Sequence, residues 1–137
     1  VNRRLLRLAL VLLPLLSCSW SNVGWTFRVI ATVTYDGRTV SDQQVSFHIA
    51  DVTADSTPVA GTELDGSRTT NQYGEAAFIF DTGLKRDRSS GAYLEGIRAT
   101  ARWANGGESY SRTVDFFPPD TATTTFADVH VRIDVNP

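Results

Sequence analysis

The sequence predicts an all-β sandwich of about seven strands, and three observations carry that prediction. Apolar residues recur with a period of two from Thr26 onward, no stretch repeats every 3.6 residues, and turn-forming residues separate the alternating runs at intervals of about 10–15 positions. In the first run Phe27, Val29, Ala31, Val33 and Tyr35 alternate with Arg28, Thr32 and Thr34, with Ile30 the exception, and Asp36-Gly37 supplies a hairpin turn. Val45, Phe47 and Ile49 form the next inward set. Asp51 to Ser67 is rich in Asp, Ser, Thr, Pro and Gly and reads as a loop with one short edge strand around Val59.

Ala76, Phe78 and Phe80 follow, with Glu75, Ala77 and Ile79 between them, and both faces of this strand read as partly covered. Asp81 to Gly91 is polar and turn-rich. Ile97, Ala99, Ala101 and Trp103 show the clearest one-sided pattern, and Asn105-Gly106-Gly107 closes a hairpin into Tyr110 to Phe117, which Pro118-Pro119 ends. After the threonine-rich connection Thr121 to Thr125, Val129, Val131, Ile133 and Val135 make the last strand. No helical crossover of the kind a parallel sheet needs is present. The pattern fits a sandwich of immunoglobulin-like type over residues 26–137, with a closed barrel around a ligand cavity as the competing architecture.

The N-terminal segment reads differently. Arg3, Arg4 and Arg7 precede nine residues from Leu8 to Leu16 that are apolar in character, within the roughly 7–15 of a secretory signal and short of the roughly 20 of a spanning helix. Leu15-Leu16-Ser17-Cys18 resembles a bacterial lipobox, which implies a signal peptide over residues 1–17, lipidation of Cys18, an anchor or linker over 18–25, and export to the cell membrane or outer membrane. Two acyl chains hold a protein stably on a membrane where one does so marginally. Cys18 is the only cysteine, so no disulfide can form within the chain, and a domain of this size can fold without one.

The chain carries 13 Lys+Arg against 15 Asp+Glu, and removal of Arg3, Arg4 and Arg7 with the signal leaves an acidic domain. Such a surface excludes a nucleic-acid partner, which requires a concentrated basic face. The densest basic spot, Lys85-Arg86-Asp87-Arg88, is interrupted by an acid and reads as a solvated loop.

Three segments, in order, resemble the bacterial Ig-like domains of invasin- and intimin-type surface proteins and of many lipoproteins. They are Ala31 to Phe47, with a strand, an Asp-Gly turn and a Val-x-Phe strand; Thr69-Thr70-Asn71-Gln72-Tyr73-Gly74-Glu75-Ala76; and Gly96-Ile97-Arg98-Ala99-Thr100-Ala101. In the middle segment Gly74 supplies a backbone conformation that other residues resist, and Ala76 enters a crowded interior. Thr39-Val40 replaces the proline usual in the family's first turn. The resemblance implies a non-catalytic module for adhesion, spacing or protein assembly, with an envelope or extracellular protein as partner.

Residues suited to catalysis or metal binding are sparse. His48 and His130 both fall on predicted strands, His48 opposite the core phase and His130 on the polar phase, and neither belongs to a zinc or serine-nucleophile motif. Asp51, Asp55, Glu63 and Asp65 crowd one predicted loop, but without EF-hand spacing they read as solvated acids. No metal, cofactor or enzymatic activity is therefore expected. The candidate binding residues are aromatic: Trp20 and Trp25 ahead of the domain, and Tyr93 and Tyr110 near the Asn105 hairpin. Trp103, in phase with Ile97, Ala99 and Ala101, reads as core. A row of exposed rings favours the alternative function, a carbohydrate-binding or accessory module serving a separate enzyme; buried rings with an uncovered strand edge favour protein contacts.

Overall fold

The computed structural model describes residues 25–82, 95–118 and 126–137. The signal segment, Cys18, Trp20, the basic cluster at 85–88, Tyr93 and the threonine-rich connection lie outside the described residues. The described residues form eight strands: β1 (Trp25–Tyr35), β2 (Arg38–Thr39), β3 (Gln44–Val52), β4 (Leu64–Thr69), β5 (Glu75–Thr82), β6 (Gly96–Asn105), β7 (Glu108–Phe116) and β8 (Phe126–Val135). They form two four-stranded sheets. In one, β1 is flanked by β5 and β2 on one side and β8 on the other; the second has the order β4-β3-β6-β7.

The alternating runs bury the side chains that the sequence places inward. Phe27, Val29, Ala31 and Val33 of β1, Val45, Phe47 and Ile49 of β3, Ile97, Ala99, Ala101 and Trp103 of β6, and Val129, Val131, Ile133 and Val135 of β8 all belong to one core. Rings join the sheets across it: Phe27 meets Phe116 edge-on at 5.9 Å and Phe47 stacks on Phe78 at 5.6 Å. Both anticipated hairpins form, with positive φ at Asp36 and Gly37 (49° and 70°) and at Gly106 and Gly107 (57° and 87°), the twist that two-residue turns require.

Four expectations need correction. β1 and β8 pair in parallel, from Thr26 opposite Phe126 to Tyr35 opposite Val135; the rest of the sandwich connects the two strands, so no helical crossover is needed. The stretch read as loop contains β4, whose polar sequence lacks alternation, and the segment at Val59 contributes only a bridge between Val52 and Pro58. β5 is covered on one face alone, leaving Ile79 59% exposed. Trp25, placed in a linker, is the first residue of β1 and only 5% exposed, stacked on Phe27 at 5.9 Å.

The turn before β5 shows why its residues are needed. The Asn71 Oδ1 accepts the N–H groups of Tyr73 and Glu75, and the Gly74 N–H donates to the Asn71 carbonyl. Thr70 is buried, its Oγ1 accepting the Gln43 N–H. Gly74 has a φ of 73°, and a Cβ there would lie 2.7 Å from the Val33 carbonyl oxygen. Gly74→Ala is expected to lower stability by about 2 kcal/mol, through both the backbone conformation and the clash, as read by urea denaturation.

Candidate functional site

The sandwich end where β1, β2 and β6 terminate gathers aromatic and polar side chains. Val45 pairs with Trp103 and Trp103 with Tyr110 across the β3-β6-β7 ladder, which sets the indole between neighbouring rings. Tyr35 from the opposite sheet meets Trp103 edge-on at 5.9 Å, and Tyr110 stacks on it at 5.7 Å. Trp103 is 3% exposed, and its buried Nε1 has no hydrogen-bond partner among the described residues. Beside it lies an open depression of ≈ 380 Å³, lined by Tyr35, Arg38, Ser41, Gln43, Trp103 and Asn105 among others.

Tyr110 is half-buried, and its hydroxyl donates to the Glu108 carboxylate. That hydrogen bond first, then burial and the nearby negative charge, push the phenol up to about 12. Because the folded value exceeds the ordinary 10.0, the associated stability is present below pH 10 and lost as pH rises through about 12. Ultraviolet titration is expected to show a late tyrosinate step that Tyr110→Phe removes.

The remaining candidates do not converge on a second site. His48 faces solvent, as its phase implied, and its Nδ1 lies 2.6 Å from Asp65 Oδ1 on β4. The acids read as one loop cluster are separated. The Asp55 carboxylate accepts a hydrogen bond from the Thr53 hydroxyl, which with Thr57 holds it below the usual carboxylate range. Glu63 accepts the Gly61 N–H. Asp51 is not a solvated acid: it lies in β3, in phase with Phe47 and Ile49, 8% exposed, and burial raises its carboxyl to about 6. Among the described residues no group of three or more His, Cys, Asp or Glu side chains could hold a metal ion.

Of the candidate aromatics, Trp25 belongs to the core near the opposite end of β1, far along the strand from Tyr35. Tyr110 stacks on Trp103 but is not itself part of the depression's lining. Arg38, Gln43 and Asn105 escaped the sequence reading because they come from three separate segments that meet only through the sheet topology.

No family model matches the chain, and no curated protein matches it. Among solved structures the chain is similar to 3-chlorocatechol 1,2-dioxygenase from Rhodococcus opacus 1CP, with 12% identity, 86% of this chain and 62% of that one covered, and a TM-score of 0.44. It is also similar to catechol 1,2-dioxygenase from Acinetobacter sp. ADP1, with 10% identity, 85% and 53% covered, and a TM-score of 0.39. A third likeness is to a 9R-lipoxygenase from Cyanothece PCC8801, with 11% identity, 82% and 16% covered, and a TM-score of 0.35. The chain thus spans less than two thirds of each of these proteins, and likenesses at such TM-scores carry no argument about chemistry.

Proposed function

We propose that the chain is a non-catalytic, lipid-anchored immunoglobulin-like module of the cell envelope, working in adhesion, spacing or assembly through protein contacts. The lipobox-like Leu15 to Cys18 and the three Ig-like segments support the location and type. The observation that carries the protein-contact reading is the distribution of rings and edges. Trp25 and Trp103 are 5% and 3% exposed, so neither can join a flat sugar-stacking row. Among the described residues β4 and β7 end one sheet, and β5 and β8 pair only with β1 in the other.

Edge strands are usually blunted by shortness, charge or proline. β4 is short, and β8 alternates Asp128, Arg132 and Asp134 along its outer face. β7 offers the most regular edge: it pairs with β6 without interruption from Ile97–Phe116 to Asn105–Glu108, contains no proline or lysine, and has both of its acids engaged, Asp115 by Arg98 and Glu108 by Tyr110, which leaves Arg112 as its one exposed charge without an ion-pair partner among the described residues. Strand addition at β7 therefore gives a partner a regular backbone ladder. A photo-crosslinking amino acid at Ser111 is expected to trap a discrete envelope protein in cells, and Thr113→Lys on the same edge to abolish the adduct. No adduct, or one indifferent to Thr113→Lys, overturns the reading.

A further inference from the structure

Five large hydrophobic side chains are exposed among the described residues, and three of them gather at one end of the sandwich. Phe126 (47% exposed) starts β8 opposite Thr26, Ile79 (59%) on β5 lies opposite Arg28, and Phe117 (40%) follows Phe116, whose ring meets Phe27. All three sit near the start of β1, and Phe117 belongs to the other sheet, so apolar side chains flank this end on both sides. Tyr73 lies at the opposite end, beside Gly74, whose carbonyl accepts the Val33 N–H. Exposed apolar residues scattered singly are ordinary, but these are grouped. On the outer face of the β5-β1-β8 sheet the Arg28 guanidinium covers the Phe126 ring at 5.7 Å to the centroid, so Phe126, Arg28 and Ile79 make one band. Its charges are already engaged. Asp128 accepts two hydrogen bonds from Arg28, at 2.8 and 2.7 Å, and Asp81 accepts the Thr26 hydroxyl at 2.6 Å. A band with paired charges costs far less to take out of water than one with free charges.

We propose that this end of the sandwich rests in the interfacial layer of the membrane that carries the anchor, with Phe117, Phe126 and Ile79 as its contacts. The inference rests on the lipid-anchored reading of Cys18. The chain's exit selects a bilayer over a protein partner: β1 begins at Trp25, seven residues after Cys18, so the link spans at most about 25 Å when fully extended. Within that reach the contact is intramolecular, and an effective concentration in the millimolar range populates even a weak one. Two phenylalanine rings and an isoleucine, with no polar tip to satisfy, suit burial of about 5–10 Å at the boundary of headgroups and acyl chains. The strands then run away from the membrane, which leaves the β7 edge clear for strand addition.

The test is paramagnetic relaxation of the ¹⁵N-labelled full chain, expressed in a bacterial host and placed in phosphatidylcholine bicelles that contain a gadolinium-chelating lipid. Amide broadening is expected to be strongest at Phe117 and Phe126 and to fall about tenfold or more along β1, roughly 30 Å from Thr26 to Tyr35. Phe126→Ser combined with Ile79→Ser, both at exposed positions, should keep the native amide spectrum and the lipid but flatten the gradient. Phe117→Ser, on the other sheet, should lower it separately, and Tyr73→Ser should leave it intact. A gradient unchanged in the double variant and in Phe117→Ser means that the tether alone sets it, and overturns the proposal. So does uniform broadening of a lipidated wild type, or a gradient that appears only when phosphatidylglycerol is added, the mark of charge attraction rather than burial of apolar side chains. A chain without lipid on Cys18 overturns the anchored reading and this proposal with it.

Discussion

Phe27→Ala is expected to cost about 3–5 kcal/mol of folding stability, a large share of the roughly 5–15 kcal/mol that holds a domain together. Phe27 is fully buried in the central strand β1. Its ring stacks on Trp25 at 5.9 Å and Phe80 at 5.7 Å and meets Phe116 of the opposite sheet edge-on, so its removal opens a cavity between both sheets. The surrounding rings are fixed by their strands and cannot collapse into the space. Phe126→Ala provides the internal comparison. That residue is 47% exposed, with the Arg28 guanidinium over its ring, and its loss should cost less than about 1 kcal/mol. Equilibrium urea denaturation of both variants measures the difference; equal costs would contradict the packing described for β1.

Asp51→Asn is expected to act in the opposite direction, stabilising the domain at pH 7.5 by up to about 3 kcal/mol. The carboxyl is buried in β3 opposite Ile97, while the Asp51 backbone is tied by the N–H to Thr62 Oγ1 at 3.0 Å and by the carbonyl to the Val59 N–H at 2.8 Å. No hydrogen bond or ion pair engages the carboxylate among the described residues, and desolvation alone raises it from 3.8 to about 6. The folded state thus holds its proton longer than the unfolded state. The stability associated with the neutral acid is present below pH 3.8 and lost as pH rises through about 6. The carboxyls of Asp55, Asp115 and Asp128 are lowered, so their contributions are lost below that window as pH falls. Wild-type stability should therefore decline from pH 4 to pH 7, and Asp51→Asn should flatten the decline. A wild type with no decline, or a variant less stable at pH 7.5, would contradict the burial of this acid.

Period-two patterning made the core legible because each buried strand covers one face, and every second residue of β1, β3, β6 and β8 reports that face. It failed where other forces form a strand. β4, with the sequence Leu-Asp-Gly-Ser-Arg-Thr, has no apolar phase; it is held by the ladder to β3 and by the Phe78 ring, which covers Gly66 closely enough to meet an added Cβ at 2.2 Å. Trp25 continues the phase of Phe27 and Val29 but stands at the very start of the run, where a single residue decides between linker and strand. The β1–β8 pairing joins residues a hundred positions apart and leaves no local signal. At the candidate site, Trp103's burial was readable from its phase, whereas the approach of Arg38, Gln43 and Asn105 depends on how two sheets close at one end.

The envelope-anchored reading is tested most directly by the intact mass and membrane partitioning of the full chain expressed in a bacterial host, beside Cys18→Ala. The wild type is expected to be shortened to begin at Cys18, to carry a diacylglyceryl mass and to sediment with membranes, and the variant to lack the lipid and leave the membrane fraction. Identical partitioning of the two, with no lipid on Cys18, would contradict it.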